Sequence, residues 1–117
     1  MKDKIIPEDS VTEEMKRIGV RPEGIKIMRE KAIFRILRLD NIISPMANLI
    51  KEEMLATGGD AAVHKHAISR KVEHTDVILF GTLHQYKRFT QKMKKQPHGA
   101  EKIAERVEEL LEDLLEE

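Results

Sequence analysis

The stretch from residue 48 to residue 82 constrains the fold more than any other part of this 117-residue sequence. It reads NLIKEEMLATGGDAAVHKHAISRKVEHTDVILFGT. Apolar residues recur at helical spacing up to Met54, a double glycine follows at Gly58-Gly59, and two short apolar segments then have the character of strands. A helix and strands in such close succession predict a small sheet that is covered by helices.

The segment before this stretch predicts another strand. Ala32 to Leu39 is apolar on both faces, which is typical of a covered central strand. A strand, a helix and a strand in succession form the crossover unit that favours a parallel pair. We therefore predict an α/β fold, with α+β as the alternative, built on a three- to four-stranded mixed, partly parallel sheet covered by helices. Residues 67–75 fit either a small extra strand or an irregular loop.

Helix boundaries are marked by capping residues, glycine and proline. Ser10 to Glu13 matches a capping box before a helix that ends at Gly19, and Pro22 suits the start of a short second helix. Ser44-Pro45 predicts a third helix, on which Ala47, Ile50 and Met54 form the buried stripe. Thr82 to Gln85 matches another capping box, and the helix after it buries Leu83, Tyr86, Phe89 and Met93.

The end of the sequence predicts an acidic amphipathic helix over about residues 99–116. We predict one domain over residues 1–117, with a core from about residue 10 to residue 96. The helix spans only about two heptads, so it should pack on its own domain or on a second copy. Its acidic face should meet the basic segment 87–95 within one chain or between subunits. The predicted interface residues are Ile103, Val107, Leu110, Leu111 and Leu114.

Composition excludes several classes of function. The 21 basic and 21 acidic side chains cancel, so no net field draws the chain to nucleic acid or to a membrane. The absence of cysteine excludes disulfides, thiolate metal sites and thiol catalysis, and fits a reducing cytoplasm. No apolar run approaches the roughly 18 residues of a membrane span. We expect a soluble, cytoplasmic protein that binds neither nucleic acid nor membrane.

Two glycine junctions are the candidate ligand-binding positions. If the strands were parallel, their carboxyl ends would gather Asp40, His64, His66, Gly81 and Thr82 around a helix N-terminus that favours anions. Gly58-Gly59-Asp60 more simply supplies a left-handed cap and a tight turn, although its exposed backbone could touch a ligand or a partner. The candidate ligand residues are Gly58, Gly59, Asp60, His64, His66, Gly81 and Thr82.

Histidine and lysine clusters allow two further interpretations. His64 and His66 alternate as a two-histidine metal edge requires, with His74, His84 or Asp76 as a conceivable third ligand. A solvated polar rim is the interpretation we favour, so no metal site is predicted. The basic segment 87–95 could contact phosphates, but Tyr86 and Phe89 fall on its apolar stripe and should be buried. A solvated face is again favoured.

The motifs between Ile18 and Gly99 carry a family resemblance. The segments IGVRPEGIKIMREKAIFRILRL, KEEMLATGGDAAV, TDVILFGTLHQYKRF and KKQPHG resemble the amino-terminal accessory domain that precedes the catalytic barrel in clostridial and archaeal dihydropteroate synthases. The resemblance implies a connection with pterin or folate synthesis. In that family the pterin and p-aminobenzoate sites lie on the barrel, and this sequence ends where the barrel would begin. We therefore assign no catalytic residue and no cofactor.

Three hypotheses of function follow from the resemblance and the residues. The first is a free-standing, non-catalytic relative of the accessory domain that acts as an assembly or regulatory module. Its partner would be a second copy, giving a homodimer, or a barrel-type synthase. The second is a small-ligand binder for a pterin or a phosphorylated metabolite at the strand ends. An independent enzyme is disfavoured because no nucleophile, base and anion hole occur together.

Overall fold

The computed structural model describes residues 2–115 as a three-stranded sheet with helices. After a single 3-10 turn, Glu8–Ser10, two helices precede the first strand, and helices also follow the first and third strands. The elements are α1 Val11–Arg17, α2 Pro22–Ala32, β1 Phe34–Ile43, α3 Ser44–Thr57, β2 Asp60–Ala62, β3 His74–Thr82, α4 Leu83–Met93, α5 Ala100–Leu110 and α6 Glu112–Leu115.

The sheet has the order β1-β3-β2, and both hydrogen-bonded pairs are antiparallel. The predicted α/β class and strand number are confirmed, but the mixed, partly parallel sheet is wrong. Since β1 and β2 each run opposite to β3, they run in the same direction, as the crossover through α3 requires. They are not neighbours, however, because β3 lies between them. Accordingly, β1 is an edge strand and not the predicted central strand.

The inner face of the sheet forms the core with α3, α4 and α5. Val77 and Leu79 of β3 are fully buried there, and Leu39 of β1 is nearly so. The predicted stripes on the helices are confirmed, since all of their members are buried: Ala47, Ile50 and Met54 on α3, and Leu83, Tyr86, Phe89 and Met93 on α4. One apolar layer between sheet and helices therefore holds the domain together.

The outer face of the sheet is apolar and exposed. Phe34 is 49% exposed, Ile36 62% and Ile78 37%, and Phe80 is half-buried. The register places Ile36 opposite Phe80 and Arg38 opposite Ile78, so these side chains are neighbours. We call Phe34, Ile36, Ile78 and Phe80 the open sheet face. Its exposure corrects the prediction that β1 is covered on both sides.

The first two helices form an arm, which we define as residues 11–32. Gly19 has a φ of 86°, the left-handed conformation that glycine adopts readily, and it ends α1 as predicted. Pro22 begins α2, also as predicted. Neither helix contains a buried residue. The molecule is elongated, with extents of 55 × 28 × 21 Å and a radius of gyration of 16.6 Å, against about 13 Å for a compact chain of this length.

Only one of the predicted helix caps that involve a side chain is formed. Thr82 accepts a hydrogen bond from the Gln85 amide, and the Gln85 side chain accepts one from the Thr82 amide, which is the predicted capping box. Ser10 makes no such bond to α1. The Ser44 hydroxyl instead donates to the carbonyl of Val72 at 2.5 Å. These two serine caps were therefore predicted wrongly.

The predicted C-terminal helix is interrupted at Leu111, which divides it into α5 and α6, and it packs mainly on its own chain. Ile103, Val107 and Leu111 are buried in the core, Leu114 packs partly against it, and Leu110 is 55% exposed. Lys94 of the basic segment pairs with Glu108 at 2.9 Å, so the two charged faces meet within one chain. Most of the apolar side chains assigned to a subunit interface are therefore already used inside the molecule. Residue 116 of the predicted helix lies outside the described residues.

The connection between β2 and β3 is an irregular loop, one of the two predicted alternatives. It is fastened to α3, because the Asn48 side chain donates to the carbonyl of Ala67 at 3.1 Å and Ala67 is fully buried. Of the helices within residues 2–115, none has both the length and the apolar character needed to cross a membrane.

Candidate functional site

The structure divides the candidate ligand residues into two groups. Gly58, Gly59, Asp60, Gly81 and Thr82 lie at the end of β3, whereas His64 lies near the beginning of that strand. The His64 amide donates to the Thr75 hydroxyl at 3.0 Å, and seven residues of strand, roughly 23 Å, separate Thr75 from Thr82. Asp40 belongs to the same distant end, since Leu39 pairs with Val77. The single ligand crevice predicted from parallel strands is wrong because the strands are antiparallel.

The glycine group is a packing contact between α3 and the sheet. A Cβ atom on Gly59 would lie 2.5 Å from the carbonyl oxygen of Phe80, and one on Gly81 would lie 3.1 Å from Cε of Met54. Gly58 has a φ of 92° and provides the predicted left-handed cap of α3. The glycines thus let the end of α3 approach β3 closely, and the neighbouring space is filled by Met54 and Gln85.

Asp60 holds the turn after the double glycine. Its carboxylate accepts hydrogen bonds from the Ala61 amide at 2.7 Å and from the Lys51 ammonium at 3.1 Å. The Ala61 bond, followed by the Lys51 bond, holds the pKa of Asp60 below its ordinary value, so the group is ionised at neutral pH. Lys51 also donates to the Ala61 carbonyl at 2.7 Å, which links α3 to β2. Asp60 therefore stabilises the connection between α3 and the exposed edge strand β2.

His64 and His66 lie beyond the end of β2 and do not alternate on a strand. Nδ1 of His64 accepts a hydrogen bond from the His66 amide at 3.0 Å, and the two rings are 5.5 Å apart. Among the residues that the structure describes, no three His, Asp or Glu side chains come together in a way that could hold a metal ion. The local turn, and not a shared ligand, accounts for the closeness of the two histidines.

A shallow polar depression lies at the same end of the sheet. It has a volume of about 470 Å³ and is lined by Asn41, His64, His74, Thr75 and Asp76. Asn41 adopts a φ of 56° at a bulge in β1, and its amide donates to the Asp76 carboxylate at 2.9 Å. The depression therefore combines a carboxylate, two imidazoles and a hydroxyl, which can hydrogen-bond a small polar ligand.

The basic segment is partly neutralised by the rest of the chain. Lys87 pairs with Glu30 of the arm, and Lys94 pairs with Glu108. Arg88, Lys92 and Lys95 line a groove of about 210 Å³ beside Glu53. Tyr86 and Phe89 are buried as predicted, so neither ring is available for stacking on a base. The lysines thus form a solvated helix surface.

The open sheet face is the feature that the sequence analysis missed. Phe34 and Ile36 were assigned to a covered strand. The available signal was Arg38, which has the same parity along β1 as Phe34 and Ile36 and therefore indicates that this side meets water. Four large apolar side chains on one face of a small sheet are the kind of patch that marks an interaction site.

Comparison with known proteins finds distant relatives only. No protein-family model and no solved structure matches the chain. The chain is 27% identical over 95 residues to the probable bifunctional folylpolyglutamate synthase/dihydropteroate synthase of Halobacterium salinarum, covering 81% of this chain and 11% of that protein. It is 36% identical over 58 residues to the protein of the same name from Haloferax volcanii, covering 50% of this chain and 7% of that protein.

The chain therefore spans about a tenth or less of the length of these curated relatives. The similarity identifies a related region within large proteins named for two folate-pathway activities, and so it suggests a relation to that pathway.

Proposed function

We propose that the chain is a non-catalytic accessory domain that acts as an assembly or regulatory module in pterin or folate metabolism. One observation carries the proposal: the similarity covers 81% of this chain but only 11% of a protein named as both folylpolyglutamate synthase and dihydropteroate synthase. A match of that proportion is expected of one module within a larger enzyme, in agreement with the motif resemblance between Ile18 and Gly99.

The geometry of the candidate site supports binding to another protein more than it supports catalysis. The glycine group is filled by Met54 and Gln85, and Asp60 is engaged by Lys51 and Ala61. The open sheet face, in contrast, offers exposed apolar area with no function inside the described residues. A domain with this distribution can assemble through its open sheet face, and we propose that the assembled module holds or modulates a barrel-type dihydropteroate synthase.

The test compares a barrel-type synthase from the same genome with and without this chain. The condensation of a pterin diphosphate with p-aminobenzoate is measured for each protein alone and for the mixture. We expect no product from the chain alone, and a changed kcat or KM of the synthase in the mixture. Product formed by the chain alone would contradict the non-catalytic role, and unchanged synthase kinetics without co-purification would contradict the regulatory one.

Small-ligand binding is the second candidate, and the polar depression at His64 and His74 supports it. Thermal shifts with pterins, folates and phosphorylated nucleosides provide the test. A ligand at 100 times its dissociation constant raises the free energy of unfolding by about 2.7 kcal/mol. The variant His74→Ala should lose that shift if the depression is the site. The absence of a shift with every compound would remove the support for this candidate.

A further inference from the structure

We infer that a second copy of this chain covers the open sheet face, and that it does so with its arm. In a two-fold dimer, the α1–α2 arm of each copy would lie on the open sheet face of the other copy. The inference rests on the assembly role proposed above, but not on its link to folate metabolism.

The open sheet face is contiguous. Across the sheet, Ile36 of β1 pairs with Phe80 of β3, and Phe34 lies two residues before Ile36 on the same side. Ile78 follows along β3, beside Arg38 on one edge and Ala62 on the other. Within residues 2–115, α3, α4 and α5 form the core with the inner side of the sheet, whereas the apolar side chains on the outer side stay partly exposed to water. A helix is the element that ordinarily covers such a face.

The arm carries an exposed apolar surface of the corresponding kind. Ile27 is 56% exposed, Met28 40% and Ile18, at the turn between α1 and α2, 67%. α2 contacts α4, where Glu30 pairs with Lys87, but no residue of α1 or α2 is buried. Two helices without a fully buried residue are incompletely packed, because tertiary contacts normally supply most of the stability of a helix.

Most of the arm's charges that have no ion-pair partner within residues 2–115 are basic, since Arg21, Lys26 and Lys31 outnumber Glu23, whereas the sheet face offers an acidic one. Asp76 lies two residues before Ile78 on the same side of β3, so it borders the open sheet face. It forms no ion pair within residues 2–115. Lys31 lies one helical turn after Ile27 on α2 and likewise has no ion-pair partner there. Arg38 and Asp60, the other charges beside the sheet face, are paired with Asp40 and Lys51. Placing Ile27 against Ile78 would therefore bring Lys31 toward Asp76.

The size of the contact favours reciprocal exchange over direct stacking of two sheets. A sheet of three strands, one of them only three residues long, presents roughly a few hundred Å² on one face, whereas a stable interface buries about 1,200–2,000 Å² in total. Reciprocal docking of two arms makes the contact twice and also covers the exposed residues of both helices. Such an interface is closed by the two-fold axis and does not extend into a fibre.

Sedimentation of the wild-type chain and two variants over a concentration series tests the inference. Ile36→Glu changes the open sheet face and Ile27→Glu changes the arm. Both positions are exposed, so both variants should fold, which circular dichroism verifies. We expect a wild-type dimer and at least a ten-fold rise in the dissociation constant for each variant. A wild-type chain that stays monomeric at all concentrations would overturn the inference without affecting the synthase test.

Mixing the two variants distinguishes arm exchange from other dimers. The Ile36→Glu copy keeps an intact arm and the Ile27→Glu copy keeps an intact sheet face, so one native contact re-forms in the mixed dimer. We expect the mixture to associate more tightly than either variant alone. If Ile36→Glu dissociates the dimer while Ile27→Glu does not, the sheets stack directly and the inference is wrong. Leu110→Glu on α5 is the control, and its association should equal that of the wild type; dissociation would locate the interface on the tail.

Discussion

Tyr86 joins α4 to the edge strand through a single buried group. Its hydroxyl donates to the carbonyl of Arg35 at 2.7 Å, and its side chain is 1% exposed. Burial raises the pKa of the Tyr86 hydroxyl above its ordinary value. The folded state therefore keeps the proton at pH values where the unfolded chain releases it, so the stabilisation is complete below about pH 10 and is lost as the pH rises further.

Alkaline titration of the native protein checks this prediction directly. The sequence contains one tyrosine and no tryptophan, so the phenolate absorbance reports Tyr86 alone. We expect ionisation near pH 10 in urea and at higher pH in the native state, together with unfolding. Tyr86→Phe should reduce the free energy of unfolding by about 1 kcal/mol at pH 7 through loss of the hydrogen bond, and should weaken the alkaline dependence. Equal titration of native and unfolded chains would show that the hydroxyl is accessible.

Gly59 is predicted to be intolerant of even a methyl group. The added Cβ of Gly59→Ala would meet the Phe80 carbonyl oxygen at 2.5 Å and Cε of Met54 at 2.9 Å, and the backbone oxygen cannot move away independently. Crowding of this kind costs about 1–3 kcal/mol. Gly19→Ala is the matched control, because it has open space but a φ of 86° and should cost only about 1 kcal/mol. Urea denaturation of both variants measures the difference, and a larger loss at Gly19 would refute the packing argument.

At the level of the elements, two similar capping signals in the sequence have different outcomes. Thr82 is bonded to the Gln85 amide at 3.1 Å, whereas Ser10 makes no cap bond. Thr82→Ala should therefore lower the free energy of unfolding by about 1 kcal/mol, and Ser10→Ala should leave it nearly unchanged. Chemical denaturation of the two variants decides between the structure and the sequence motif, because the motif alone predicts equal losses.

Sequence patterns predicted the helices and their ends better than they predicted which strands pair in the sheet. The stripes on α3 and α4, the stop at Gly19 and the cap at Gly58 follow from local periodicity and from backbone preferences, so a single segment contains the information. The place of β3 between β1 and β2 depends on contacts between segments some 40 residues apart, such as Ile36 with Phe80. The crossover rule gave the correct relative direction of β1 and β2, but it contains no information about a later strand that inserts between them.

The end of α5 provides a matched pair of neighbouring leucines, Leu110 as its last residue and Leu111 as its C-cap. Leu111 is 2% exposed within the core, whereas Leu110 is 55% exposed. Leu111→Ala should lower the free energy of unfolding by about 2 kcal/mol, near the low end for buried leucines because the helix lies at the margin of the core. Leu110→Ala should change it by less than about 0.5 kcal/mol. Equal effects in urea denaturation would contradict the orientation of α5.

On the scale of the whole molecule, the sequence predicted individual residues of the candidate site but not which of them lie together. The glycine group is real as a cluster, since Gly59 and Gly81 both approach Met54, but their pattern does not reveal that the space is filled. His64 and Thr82 were placed together by an assumed parallel sheet. The open sheet face escaped notice because exposed apolar residues on a strand resemble core residues until the layers are known.

The elongated shape predicts unequal stability along the chain. The arm buries no residue, whereas Val77 and Leu79 of β3 and Phe89 of α4 are fully buried. Hydrogen exchange at low protein concentration should therefore give opening free energies near zero for α1, low values for α2, and the global free energy of unfolding for β3 and α4. Mass spectrometry of peptic fragments measures these values. Arm protection equal to that of β3 at low concentration would show that the hairpin is already packed within one chain.

The dependence of hydrogen exchange on protein concentration tests whether assembly stabilises the arm. If the arm of one copy covers the sheet face of another, raising the protein concentration should slow exchange in α2 and in the segment around Ile36, while the buried strand β3 changes little. The Ile36→Glu variant is the matched control, because it leaves the arm intact but removes the apolar surface that protects it. Its arm should exchange at the low-concentration rate at every concentration. Protection of the arm that rises equally in this variant would mean that the arm contacts another surface.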